Sequence, residues 1–371
     1  MDKRVVLAVA GSGKTYYICN KLNETKRNVI IAYTNENIKN IRKELYSKYG
    51  FIPSNTLIMT FHSFVYTYLI RPFDSVIGEF YNVKDFASSG VTVKEPPVPS
   101  LIKKGYRVKN PFYNKDNSLL HYIDNKKYYC KYLAKLVLKT KNKDMSLIKL
   151  GCNNINKFFD NIYVDEMQDF REENWDLLVN IIKNVKSILL VGDYYQHSVS
   201  ATNNTGKPFK LKNGYISYSD YIKYLNELNL EVDDKSLIKS RRCSSDVCNF
   251  IKDKLNINIE SQKMHSGDIR WLLDEKEVKS VLENNNIIKL VWDSPEKYSF
   301  NAVTWSYSKG DTYSEVCLIL TDKYSDLDSL SFKPSESVIS TNKLYVALSR
   351  SKGNVFLLKS ELYSKFKMDV N

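Results

Sequence analysis

Residues 8–15 read Ala8-Val9-Ala10-Gly11-Ser12-Gly13-Lys14-Thr15, directly after the apolar run Val5-Val6-Leu7. A strand that ends in small residues and turns into a helix aims backbone N–H groups and a helix N-terminus at a polyphosphate. In such a loop Ala10, Gly11, Ser12 and Gly13 wrap the phosphates, and the glycines let the backbone come close. Lys14 reaches the outer phosphates, and the Thr15 hydroxyl ligates Mg²⁺. ATP with Mg²⁺ is the expected ligand pair. Ala8 stands where the general pattern has its first glycine.

Working outward, apolar runs alternate with helical patterns: Val5–Ala8, a helix from Lys14, Val29–Ala32, a helix around Glu36–Tyr46, then Leu57–Thr60. This is the rhythm of a parallel sheet with crossover helices, an α/β class. The rhythm breaks after Phe64 and resumes at Asn161-Ile162-Tyr163-Val164. The residues between include Glu95-Pro96-Pro97-Val98-Pro99-Ser100 and a basic segment, and they read as an inserted, mostly helical subdomain. A further α/β stretch starts near Leu237, after the polar loop Ala201–Gly206. The expected organisation is a first lobe of residues 1–64 and 159–205, an insert of 65–158, and a second lobe of 206–371.

The 371 residues suit two or three domains. No run approaches the roughly 20 consecutive apolar residues of a membrane span. The chain enters its first strand at once, leaving no room for a signal peptide, so cytoplasmic residence is expected. Six cysteines without a CxxC pair and four dispersed histidines suggest neither a disulfide framework nor a zinc site. The net charge is +13. Residues 101–150 hold thirteen lysines and arginines against three aspartates. Lys127, Lys131, Lys135 and Lys139 recur every four residues, as one stripe on a helix would. Such a surplus points to a polyanion partner, although a lysine stripe is also the pattern of a plain solvated face.

Ile162-Tyr163-Val164-Asp165-Glu166 puts two adjacent acids at the end of an apolar strand, where open α/β sheets build their sites. One acid, Asp165, can hold Mg²⁺ and the next, Glu166, can polarise the attacking water. Ile188-Leu189-Leu190-Val191-Gly192-Asp193 repeats the design and delivers Asp193 and Gln196 to the same edge, with Gln196 placed to sense the γ-phosphate.

Taken in order, these blocks resemble the superfamily 1 helicases, most closely the UvrD/Rep/PcrA group. The likeness runs over eight stretches: AVAGSGKT (8–15), IIAYTNENI (30–38), TFHSF (60–64), VDEMQD (164–169), VGDYYQ (191–196), KSRRCSSDV (239–247), VTWSYSKGDTY (303–313) and LYVALSRSK (344–352). The resemblance implies two RecA-like P-loop lobes and ATP-driven movement on single-stranded DNA with helicase activity, 3′ to 5′. It implies nucleotide contacts at Lys14, Thr15 and Gly310, a metal-linked Asp165, a water-activating Glu166, and Arg242 and Arg350 as arginines reaching the γ-phosphate from the second lobe. The single-strand track falls on Tyr33, Thr34, Asn35, Thr60, Phe61 and His62, with Trp305 and Ser306 in the second lobe. Aromatic faces there stack on any base; the plainer reading of Tyr33 and Phe61 is packing at strand ends.

The chain also departs from that group. Seven residues before the loop leave no room for the glutamine segment that reads adenine in relatives. Arg241 replaces the tyrosine before the first finger arginine, and its guanidinium can stack on a base instead. His197-Ser198-Val199-Ser200 follows Gln196 without the relatives' aromatic and arginine pattern, and Asp311-Thr312 replaces the usual Leu-Glu. About sixty residues separate Arg242 from Thr304, where UvrD-type enzymes carry a large accessory domain. A partner protein in place of that domain is one expectation. A nucleic-acid-gated ATPase that remodels complexes without separating strands, or a motor on RNA, are the alternatives.

Overall fold

The computed structural model describes residues 3–103, 105–143, 145–197, 206–212, 214–335 and 337–370. Two parallel sheets organise it. The first has six strands in the order Glu231–Asp233, Lys3–Leu7, Ile188–Gly192, Asn161–Val164, Asn28–Ala32, Thr56–Thr60. The second has five, in the order Ile269–Trp271, Val355–Leu358, Glu315–Ile319, Ile287–Val291, Ala302–Thr304. Every pairing within them is parallel.

Strands buried on both faces favour near-continuous apolar runs, and the inner positions of these strands follow that rule; the buried Asn28 and Asn161 at two strand starts hydrogen-bond each other. Val5, Leu7, Val29 and Ile31 pack into the cluster on one face of the first sheet, while Val6, Ala8, Ile30 and Ala32 pack into the other. Each fully buried Val, Leu or Ile contributes roughly 1.5–3 kcal/mol, so the continuous runs that announced the strands also hold the lobe together.

The first lobe runs further than the sequence suggested. The expected border at 205, with the polar loop from Ala201 on, lies outside the described residues. Beyond it the helix Tyr218–Glu227 buries Tyr221 and Leu225 in the first lobe's core, and the strand Glu231–Asp233 pairs with Arg4–Val6. Position 205 is thus not where the lobes part.

The insert is a less separate body than its break in rhythm implied. Its helices Leu133–Lys139 and Leu147–Phe158 bury Leu136, Val137, Cys152 and Ile155 in the same cluster as the first lobe's strands. Its outer part is built of short strands: a three-stranded sheet of Gly90–Thr92, Lys127–Tyr129 and Ile123–Asp124, and a hairpin of Ser100–Lys103 with Tyr106–Lys109. The four lysines do not form one stripe. Lys127 is in a strand, Lys131 in a 3₁₀ turn, and only Lys135 and Lys139 share a helix. Lys131 pairs with Glu95, and Lys135 and Lys139 with Asp116.

Candidate nucleotide and nucleic-acid site

The residues expected to carry the chemistry gather at the carboxyl ends of the first sheet's strands. After Leu7 the chain turns through Gly11 at φ 71 and Gly13 at φ 84 into the helix Lys14–Lys21. Both glycines sit in left-handed backbone that side chains resist. At Gly11 there is also no space, since a Cβ would lie 2.7 Å from Arg242 Cβ and Ser240 Oγ. The second lobe is pressed against the loop.

Lys14 Nζ lies 3.3 Å from Glu166 Oε1, and the Thr15 hydroxyl donates to Asp165 Oδ2 at 2.9 Å. Glu166 has a left-handed backbone, φ 54, and its side chain accepts from the Gln168 amide. Burial favours a neutral Glu166, but the cations Lys14 and Lys309 outweigh it and hold its carboxyl below the usual range. For Asp165 burial prevails, and with the Glu166 charge beside it the carboxyl is pushed up to about 7. A buried carboxylate next to a hydroxyl is a donor set for a hard cation. Asp193 is fully buried and pushed up to about 6, again mainly by burial.

Lys14, Thr15, Asp165 and Glu166 line a cleft of about 450 Å³, into which Gln196 also faces. The opposite wall belongs to the second lobe and brings Arg241, Arg242, Gly310 and Arg350. The arginines have no acidic partner among the described residues. Arg242 Nη1 donates to the Ser349 carbonyl at 3.0 Å, and Arg241 lies over the Tyr16 ring at 4.0 Å. Arg350, 1 % exposed, donates to the carbonyls of Val346, Ser308 and Asp311 and to Ser349 Oγ. Burial and then the Arg242 charge lower its pKa to about 10, which leaves it a cation near neutrality. Guanidinium groups held by neutral oxygens keep their charge available to an incoming anion.

Of the residues expected to form a track, Tyr33, Thr34 and Asn35 follow the strand Asn28–Ala32, and Thr60 ends the neighbouring strand Thr56–Thr60. Thr34 and Thr60 each cap a helix, accepting from Asn37 N and Ser63 N. Tyr33 and His62 are half-buried with rings 5.7 Å apart, and Asn35 is exposed. Two expected stacking residues are core instead. Phe61, 1 % exposed, packs edge-on against Phe170 at 4.7 Å. Trp305 is fully buried against Trp292 and Tyr324, with Nε1 donating to the Leu290 carbonyl. Ser306 stays half-buried, and Tyr307, which the sequence reading passed over, is 82 % exposed.

Sequence reasoning also missed the bridging groups. Lys309 of the second lobe pairs with Asp169 of the first, and Tyr345 reaches the phosphate loop, its hydroxyl accepting from Ala10 N at 2.7 Å. Both sit inside stretches already singled out, SKG and LYVALSR, but nothing in one sequence reveals a contact across lobes.

Two parallel-sheet lobes meeting at a phosphate-binding loop define a P-loop nucleoside-triphosphatase core. Residues 2–202 match the AAA domain family model, and residues 127–359 match the viral superfamily 1 RNA helicase core domain. The chain belongs to the superfamily 1 helicases. No curated protein matches it in sequence. Among solved structures it is similar to the PRRSV helicase (11 % identity, TM-score 0.46, 97 % of this chain and 53 % of that one). It is also similar to an arterivirus nonstructural protein 10 helicase in complex with DNA (11 % identity, TM-score 0.47, 98 % and 63 %). The chain thus spans between half and two thirds of the length of these structures. Among the described residues no helix is long and apolar enough to cross a membrane.

Proposed function

We propose that the chain is an ATP-driven motor on single-stranded DNA that moves 3′ to 5′ and separates strands. The observation that carries this reading is the cleft itself, where Lys14 and Glu166 of one lobe face Arg242 and Arg350 of the other, and neither arginine forms an ion pair among the described residues. ATP phosphates draw Lys14 from Glu166, and the released carboxylate orients and polarises the attacking water. Arg242 and Arg350 stabilise charge on the transferring group, which in phosphoryl transfer is most of what a protein does. Gln196, on the same wall as Glu166, senses the γ-phosphate. Thr15 and Asp165 are the residues that would hold Mg²⁺, which when bound neutralises phosphate charge. Arg241 and Tyr16 offer flat faces to the base.

Because the two walls belong to different lobes, filling the cleft changes how the lobes meet, and this couples hydrolysis to movement along the strand. Tyr33, Thr34, Asn35, Thr60 and His62 form the track on the first lobe, with Ser306 on the second. The finer kinship with the UvrD/Rep/PcrA group, and with it the direction, rests on TFHSF and DEMQD. A partner protein stands in for the accessory domain that group carries. The unpaired thiols suit a reducing, cytoplasmic setting.

RNA is the second reading, favoured by the viral RNA helicase core model over residues 127–359. The deciding experiment measures ATPase with no polymer, single-stranded DNA, single-stranded RNA and duplex, beside strand displacement on tailed substrates of each polarity. Hydrolysis indifferent to every polymer overturns the motor reading, and stimulation without displacement leaves the remodelling ATPase.

A further inference from the structure

The phosphate loop is held from the second lobe as well as from its own. Val9 N donates at 3.0 Å to the carbonyl of Leu237, which packs in the first lobe, and from the second lobe Arg241 N donates to the Gly11 carbonyl at 2.9 Å. Val9 and Ala10 pack in the second lobe's apolar cluster, with Cys243, Val346 and Leu348. Between these contacts stands Tyr345, fully buried on the helix Val338–Leu348. Its hydroxyl accepts from Ala10 N at 2.7 Å and donates to Asp193 Oδ2 at 3.2 Å. Asp193 is anchored on the first lobe, where its N–H donates to Gln168 Oε1 and its Oδ1 accepts from Tyr195 N. One phenol oxygen therefore joins the loop, the Asp193 strand end and the second lobe's helix.

We propose that Tyr345 is the positioning residue through which the second lobe sets the shape of the phosphate-binding loop. The Ala10 amide is fully buried, so without the phenol it has no acceptor and must turn toward another. Any turn of that peptide redirects the N–H groups after it, which are the ones that grip phosphate. Docking of the second lobe and affinity for nucleotide are thus one equilibrium, because each favours the same loop conformation. Tyr345 touches no phosphate itself; it acts through Ala10 and Asp193.

This inference rests on ATP binding in the cleft, and wild-type ATPase tests that foundation by itself; a wild type without ATPase fails the cleft reading and the proposal with it. Tyr345→Phe keeps the ring and removes only the oxygen. Its KM for ATP is expected to rise about tenfold, the size of one buried donor left unpaired. kcat at saturating ATP should stay within about twofold, because the loop grips ground and transition states alike. Melting temperature should fall by no more than the few degrees that one unpaired buried amide costs, and polymer affinity without nucleotide should match wild type. A chain with a difluorinated tyrosine at 345 keeps the shape and weakens the oxygen as acceptor, so its KM should lie between the two; it decides the matter if Tyr345→Phe does not fold. A wild-type KM in these variants overturns the proposal. So does a joint fall in melting temperature, polymer affinity and kcat, which marks a merely structural side chain.

Discussion

Glu166→Gln removes one charge and almost no shape, so its consequences follow from the pair it breaks. Glu166 Oε1 lies 3.3 Å from Lys14 Nζ, with the two side chains 21 % and 10 % exposed. At an effective dielectric of 20 that separation corresponds to about 5 kcal/mol of Coulomb attraction, much of it offset by the desolvation of both ions. A triphosphate has to draw Lys14 out of the pair and settle beside the remaining carboxylate. With glutamine both costs vanish. ATP should therefore bind about tenfold tighter, or about 1.4 kcal/mol, a minor share of the gross attraction. Turnover moves the opposite way, falling about 10²–10⁴-fold, because the group that polarises water is gone. Steady-state phosphate release at saturating single-stranded DNA, beside a titration with a fluorescent ATP analogue, reads both numbers. Turnover within tenfold of wild type refutes Glu166 as the base. Lost turnover with weakened ATP binding would mean that the lysine–glutamate pair builds the site and does not have to open.

Arg242→Ala and Arg350→Ala should each depress polymer-stimulated turnover by about 10³-fold or more while single-stranded DNA binding without nucleotide is kept. A variant that loses DNA binding and keeps its ATPase shows that its arginine belongs to the track. Trp305→Ala should cost about 3–5 kcal/mol in denaturant unfolding, since the ring is fully buried. Tyr307→Ala, at a side chain 82 % exposed, should leave stability unchanged and weaken polymer binding; a reversal of the two effects would place Trp305 back on the track. Arg107 and Lys109, exposed on the insert's hairpin without an ion pair among the described residues, should together flatten the slope of log affinity against log salt by about 1.4 when changed to Gln. Lys131→Gln, which only releases Glu95, should leave that slope alone.

What the sequence made legible is what local pattern determines. The apolar runs at Val5, Val29, Ile162 and Ile188 became buried strands because a parallel sheet covered on both faces favours apolar side chains on both. The small residues, Lys14 and the acids at Asp165 and Glu166 stood out because phosphate chemistry needs those types at the strand ends, and the structure brings them to one cleft. The lysine spacing misled because a four-residue period means a helix face only where the chain is helical. Asn125 and Lys126 have φ of 48° and 61°, the signature of a tight hairpin turn. That turn puts Lys127–Tyr129 into a strand, where Tyr128 is fully buried. Trp305 misled by two positions. An indole whose N–H finds a carbonyl can be buried whole, and the exposed aromatic of that turn is Tyr307.

The part that was not legible is the part that depends on two lobes at once. Tyr345 and Ala10 are 335 residues apart, Tyr345 and Asp193 152, and Lys309 and Asp169 140. No period or spacing encodes a hydrogen bond at that range, and each of these side chains, read in its own stretch, is an ordinary tyrosine or lysine. Each lobe's own stretch announces its half of the chemistry, phosphate grip and acids on one side, arginines on the other. What joins the halves is geometry: the Tyr345 phenol and the Lys309 ammonium reach from the second lobe to partners in the first. A substitution at Tyr345 or Lys309 is therefore expected to change how nucleotide and polymer affinities depend on each other, whereas one at Lys14 or Glu166 changes the chemistry within a single lobe.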